Sequence, residues 1–405
     1  MNDVIFIKSE GGLGRTSPEQ DYISGIAFYD AKFKDNTTFT TNGVTTFTAT
    51  NRIIKFNRLS DFEKIGITST NALTKEYWYQ VSEYFRITGN ADLYVGLFND
   101  TVKESTPVAL TFNEAYLMQI FAQGEIRQFG VYNTKNIYAS GDVEKVQAIA
   151  TLCTTEHMPA SFIYGSNIKA TSDLTTLASL KTLSTVSPNV SVVIAQDGAG
   201  VGSTLYTSEG TSIPAVGATL GLLSNAMVQE SIAWILKFNI ASGGELEVPA
   251  FGNGTLVSSL STSVLNQINA LGYLFLKKHV GISGTYLNDN HTADKTISDY
   301  AYITEVRTID KAIRGVRTKL LPYLNSPIKI SSTGQIASST IEFFKSITNN
   351  YIDKMIGAGE LSAGVVEIDS NQNILVTSKL QIVIRVIPYG TARQIEVTIG
   401  YVVSL

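Results

Sequence analysis

From Arg307 to Leu320 the sequence falls into a helical period that dictates what the neighbouring chain must supply. Ile309, Ala312, Ile313, Val316 and Leu320 stand at i, i+3, i+4, i+7 and i+11, one apolar stripe that has to be buried. Arg307, Lys311, Arg314 and Thr318 share a different face, flanked by Arg317 and Lys319. Side chains three or four apart lie over one another on a helix, so these cations form a row. Tyr302 and Ile303 ahead of it read as strand-like, and Pro322 ends the helix by Leu321, because proline restricts the residue before it and has no N–H to donate. Such a helix suits a place between its own core and an acidic partner. A solvated basic face is the alternative.

The two chain ends add a second constraint. Val4, Ile5, Phe6 and Ile7 have strand character, but Glu10–Pro18 (EGGLGRTSP) is too rich in glycine to fold them back as a hairpin, with Gly11, Gly12 and Gly14 as the hinge. At the other end, Ile395, Val397, Ile399, Tyr401 and Val403 alternate with Gln394, Glu396 and Thr398, the pattern of a half-buried strand over Arg393–Val403.

Between them the pattern is α/β, in a mixed α/β (α+β) arrangement. Tyr22–Ala31 is apolar and compact, strands are expected at Ala91–Leu97, Ile126–Val131, Ala160–Ile163 and Val190–Ala195, and helices at Ser60–Gly66 (capped by Ser60), Thr74–Phe85, Asn113–Gly124, Gly141–His157 and Ser172–Thr182. Helices between strands imply a mostly parallel sheet. Thr37–Thr50 reads as a hairpin turning at Asn42-Gly43. Long helices are expected over Val216–Phe238, Ser261–Val280 and Thr340–Ile356, with Ile282–Leu287 and a turn at Asn288-Asp289-Asn290 between the last two, and strands over Ala363–Asp369 and Leu380–Ile387. The expected organisation is an arm and linker over 1–21, an outer α/β region over 22–260 and a C-terminal domain over 261–405.

Composition excludes several function classes. A formal charge of −4 argues against a nucleic-acid binder. The single cysteine, Cys153, rules out an intramolecular disulfide framework and fits a reducing compartment. The apolar runs fall short of the ~18 residues a membrane span needs, and MNDVIFIKSEGGLG has no basic region before its apolar run. The expectation is a soluble protein made in a cytoplasm, without membrane insertion.

Chemistry is sparse. Gly198-Ala199-Gly200-Val201-Gly202 has the spacing GxGxG, not GxGxxG, and Thr204–Ser208 reads as extended, so a surface loop is expected and not a dinucleotide fold. Cys153 and His157 stand i, i+4 on one helix, but two ligands do not make a metal site. His291 sits in a polar turn near Asp289 and Asp294, and no serine occupies a nucleophile elbow. These readings point away from an enzyme and call for no cofactor or metal.

Four pieces, in order, carry a family resemblance: VGATLGLLSNAMVQESIAWILKFNI, GISGTYLNDNHTA, YITEVRTIDKAIRGVRTKLLPYLNSPI and GELSAGVVEIDSNQNILVTSKLQIVIRVIPYGTARQIEVTIG. With them the chain resembles contractile tail sheath proteins of phages and phage-tail-like injection devices. Thr308 departs from the pattern, since many sheaths carry a second arginine there. The resemblance implies a C-terminal sheath domain whose strand-forming arms (Val4–Ile7 and Ile395–Tyr401) pair with neighbouring subunits in stacked hexameric rings around an inner tube. It implies baseplate and terminator proteins as further partners, assembly in a virion tail or related particle such as a tailocin, and a bacterial cytoplasm as the place of synthesis. Arg307, Lys311, Arg314, Arg317 and Lys319, with Lys345 and Lys354 on Thr340–Ile356, become the candidate tube-facing residues. A baseplate or terminator subunit, or an α/β enzyme, are the other readings.

Overall fold

The computed structural model describes residues 20–34, 37–100, 112–332 and 334–401. The Val4–Ile7 arm and its Gly11, Gly12 and Gly14 hinge lie outside the described residues. In chain order the body is built from β1 (Ser24–Tyr29), β2 (Phe39–Thr41), β3 (Val44–Phe47), β4 (Ile53–Phe56), α1 (Leu59–Glu63), α2 (Lys75–Thr88), β5 (Leu93–Phe98), α3 (Asn113–Phe121), β6 (Gln128–Ile137), α4 (Ser140–Thr155) and β7 (Ser161–Asn167). There follow β8 (Val190–Val192), β9 (Ala195–Asp197), α5 (Val201–Glu209), α6 (Val216–Asn225), β10 (Pro249–Phe251), α7 (Thr262–Ala270), β11 (Leu276–His279) and β12 (Ile282–Leu287). A C-terminal unit then adds α8 (Ile303–Leu320), α9 (Ser338–Gly357), β13 (Leu361–Glu367), α10 (Ile374–Thr377) and β14 (Val383–Pro388).

The fold is mixed α/β. Its central sheet has the order β4-β5-β1-β6-β7-β8, parallel except for the edge strand β4. Every residue of β1 and β5 is buried, as expected where helices cover both faces of a parallel sheet. Alternation along β1 divides the core. Ile26 and Phe28 point into a layer with Val81 of α2 and Leu220 of α6, whereas Ala27 and Tyr29 point into a layer with Met118 of α3 and Val146 of α4. Close approach of α2 and α6 depends on Gly217, where an added Cβ would stand 1.9 Å from the Gln80 carbonyl oxygen.

The hairpin at Asn42-Gly43 forms as expected, with both residues at positive φ. Several expected elements do not. Val216–Phe238 is helical only to Asn225, where Ala226 turns extended. Ser172–Thr182 resolves into two 3₁₀ turns, each started by a side-chain cap, Asp173 to Thr175 N and Ser179 to Lys181 N. Ser261–Val280 is helix only over α7, because Gly272 at φ +92° breaks it before β11. Thr204–Ser208 belongs to helix α5, not to an extended segment. Ile303 begins α8 instead of a strand, and Ser60 lies inside α1, whose cap position is Arg58.

Residues beyond 260 share the first body's core. Leu274, Leu276, Leu287 and Ile303 join one of its layers, and Ile268, Tyr273 and Phe275 the other. Separate small cores begin with α8: Ala312 and Val316 meet Tyr351, Ile352 and Met355 of α9 and Leu361 of β13.

Candidate assembly interface

Helix α8 turns most of its cationic row inward. Arg307 is 4% exposed and its Nη2 donates to the carbonyls of Leu223 (2.9 Å) and Ala226 (3.2 Å). These belong to the end of α6, where no intrahelical N–H reaches the last carbonyls, so Arg307 caps that helix with a charge that also suits its dipole. Burial lowers the Arg307 pKa to about 10. Lys311 is also buried, with Nζ 2.7 Å from Asp21 Oδ2 and in contact with the Glu360 carboxylate. Burial alone would lower its pKa, but Asp21 and then Glu360 outweigh that and raise it. Arg314 Nη2 lies 2.8 Å from Asp21 Oδ1. Lys311 and Arg314 therefore hold the chain's own Asp21, and Arg307 holds the end of α6, so all three are engaged within the subunit. Their spacing on the helix is the same whether the matching acid lies in a partner or, as here, far away in the same chain.

The remaining candidates lie at the surface. Arg317 and Lys345 are half-buried, the latter 3.7 Å from Glu342, and Lys319 and Lys354 are exposed. Beside the clamp Asp310 is buried, with Oδ2 unreached by a donor. Burial pushes its carboxyl up to about 7 against the opposing influence of Arg314 and Arg127.

Strands β13 and β14 form an antiparallel hairpin, registered from Leu361 opposite Pro388 to Glu367 opposite Val383. Among the described residues neither strand pairs with a third, which leaves two open edges. After Pro388 no ladder forms among residues 389–401. Ile395, Val397, Ile399 and Tyr401 are 80%, 73%, 90% and 108% exposed, so the expected strand does not form over its described part, residues 393–401, while Val403 lies outside the described residues. Alternation makes a strand only where another edge supplies the hydrogen bonds. The root of this segment is held, however. The Arg393 guanidinium lies 3.3 Å from the centre of the Tyr302 ring, with Nε 3.3 Å from Asp289 Oδ1 and Nη2 3.2 Å from Asn290 Oδ1.

The chemical candidates stay apart. Cys153 is buried, its thiol pushed up to about 12, whereas His157 is exposed just past the end of α4 at φ +63°. His291 stacks on Tyr302 with ring centres 5.5 Å apart, and burial lowers its pKa to about 4. Among the described residues no group of three or more His, Cys, Asp or Glu side chains is placed to hold a metal, and no helix is long and apolar enough to cross a membrane. Asp21, Glu360 and Arg393, which organise the roots of both chain ends, were missed from sequence. Each is a lone charge beside a strand, with no periodicity to mark it.

Three solved structures share this architecture. One is a chain of the structure titled as the anti-feeding prophage baseplate, 6-fold symmetrised (13% identity, 99% of each chain, TM-score 0.60). Another belongs to the PVC sheath complex of an extracellular contractile injection system in the contracted state (12% identity, 100% of this chain and 98% of that one, TM-score 0.59). The third is the sheath tail protein Lin1278 from Listeria innocua (9% identity, 92% and 96% coverage, TM-score 0.52). The likeness establishes a shared fold. No curated protein matches the sequence. Family models do: the DUF2586 N-terminal domain over residues 1–291 and the DUF2586 C-terminal domain over residues 299–405 together span nearly the whole chain, which belongs to the DUF2586 family.

Proposed function

We propose that this protein is a structural, non-enzymatic subunit of a contractile tail sheath. Its subunits stack as hexameric rings around an inner tube, and terminal strands exchanged between neighbours tie the rings together. The observation that carries the reading is the segment 395–401, an alternating apolar segment that among the described residues has no ladder, on a subunit that also offers a hairpin whose two edges the described residues leave open. Backbone donors and acceptors left open on one copy are matched by those on another. The Val4–Ile7 sequence on its Gly11, Gly12 and Gly14 hinge is the second arm in this reading. Contraction is then a collective passage from an extended, metastable lattice to a compact one, without nucleotide. The tube contact falls to Arg317, Lys319, Lys345 and Lys354, the candidates that lie at the surface.

Negative-stain microscopy of the concentrated protein, with and without its tube protein, tests this. Sleeves or ring stacks are expected, and a strictly monomeric species under both conditions overturns it. A baseplate or terminator role is the second reading, favoured by the match to a chain in a baseplate structure. It is distinguished by single rings that do not polymerise.

A further inference from the structure

Where the glycine-rich run leaves β9, two carboxyl groups meet. Asp197 is 1% exposed; its Oδ1 accepts from Ala199 N–H at 3.3 Å, and its buried Oδ2 has no donor in reach. Glu245 arrives from the turn after Ser242, and both its oxygens accept from Val201 N–H, the first residue of α5, at 3.1 Å. The two groups converge on Gly200, where an added Cβ would stand 2.5 Å from Asp197 Oδ2 and 2.7 Å from Glu245 Oε2. A buried carboxylate and a half-buried one this close repel one another unless a proton lies between them. A proton on Asp197, donated to Glu245, satisfies the orphaned oxygen and removes the repulsion together. From α2, Tyr79 and Glu83 face the pair, and Glu83 is itself held by Arg86 at 2.6 and 2.9 Å.

We propose that Asp197 and Glu245 share one proton, and that this proton latches the Ser242–Leu246 turn onto the first turn of α5. The latch steadies a turn with one strained residue: Leu246 sits at φ 57°, whereas Gly243 and Gly244 adopt their positive φ (64° and 87°) without a steric penalty. Leu246 nevertheless inserts fully into the α2–α6 core layer, and Glu245 walls a cleft of about 580 Å³ together with Trp78, Tyr79, Glu83, Arg86 and Val201. Loss of the proton loosens that wall. Burial, with Glu245 adding to it, raises the Asp197 carboxyl to about 6. The folded protein thus holds the proton more tightly than the unfolded chain. The latch contributes fully below the ordinary carboxylate range and is lost as pH rises through about 6.

Hydrogen exchange of the full chain at about pH 5 and about pH 7.5, corrected for intrinsic chemical rates, tests the latch. In the wild type, exchange over 198–210 and 240–248 is expected to rise severalfold at the higher pH. Asp197→Asn, whose amide donates to Glu245 at every pH, is expected to keep both segments protected, and Glu245→Gln should do the same by donating to Asp197. Equal pH responses in wild type and variants overturn the proposal. Infrared difference spectra, wild type minus either variant, supply a readout that does not depend on loop motion. A protonated-carboxyl band is expected at the lower pH, and its absence there also overturns the shared proton.

Discussion

Lys311 Nζ stands 2.7 Å from Asp21 Oδ2 and touches the Glu360 carboxylate as well, so one ammonium joins the root of the N-terminal segment to the residue before β13. Asp21, at the root of the N-terminal segment, and Glu360, at the start of the hairpin, are thereby fixed to the same helix.

Lys311→Ala should be more damaging than Asp21→Ala. Removing the lysine leaves buried Glu360 without its cation and half-buried Asp21 with Arg314 alone, whereas removing Asp21 leaves Lys311 paired to Glu360. Breaking a buried pair costs about 3–5 kcal/mol, and the lysine variant should fall at the upper end. Denaturant unfolding of the full chain reads the difference, and equal losses would show that Lys311 acts toward Asp21 only.

Charge reversal separates the two halves of the α8 row. Arg317→Glu and Lys319→Glu, at the surface of the last turn, should change stability by no more than about 0.5 kcal/mol while weakening co-assembly with an acidic tube. Raised salt should weaken it similarly, since exposed pairs are screened. Arg307→Glu places a carboxylate against the end carbonyls of α6 and should prevent folding.

The buried carboxyl of Asp310 gives a pH dependence with a definite sign. Its folded pKa is raised to about 7, so its contribution is complete below the ordinary carboxylate range and is lost as pH rises through neutrality. Over that window wild-type stability should fall by up to about 1.4 kcal/mol per pH unit relative to Asp310→Asn. Thermal melts of both proteins between about pH 5 and about pH 8 check this, and parallel profiles would place the Asp310 proton elsewhere.

How far the sequence could be read follows the reach of its signals. The apolar faces of α2 and α9, the Asn42-Gly43 hairpin and the fully apolar β5 declare themselves within a few residues. The cationic row on α8 was equally visible, but its counter-charges were not. Asp21 lies 293 positions from Arg314, and no local pattern announces a contact at that distance. Misplaced helix ends have the same origin. The α6 helix stops where Arg307, from α8, takes its carbonyls, and the sequence from Ala226 to Phe238 is apolar enough to pass for its continuation. At the C-terminus the alternation was legible and its partner was not, because no described strand of the subunit pairs with residues 389–401.

That last absence makes the sharpest test of the proposed assembly. Ile395, Val397, Ile399 and Tyr401 are between 73% and 108% exposed, so among the described residues a deletion of 395–405 removes little that the subunit core uses. The truncated protein should fold, with its stability within about 1 kcal/mol of the full chain, provided Arg393 is kept to pin Tyr302 and Asp289. It should nevertheless fail to form sleeves. Proline at Val397 should copy the effect if that backbone N–H donates across the interface, because proline removes the donor while leaving the monomer untouched. Lysine at Ile399 tests the other possibility, burial of the apolar face: it should weaken assembly even though the backbone can still pair. Sleeves of normal yield from all three variants would show that the C-terminal segment carries no inter-subunit contact, leaving ring-to-ring linkage to the Val4–Ile7 arm.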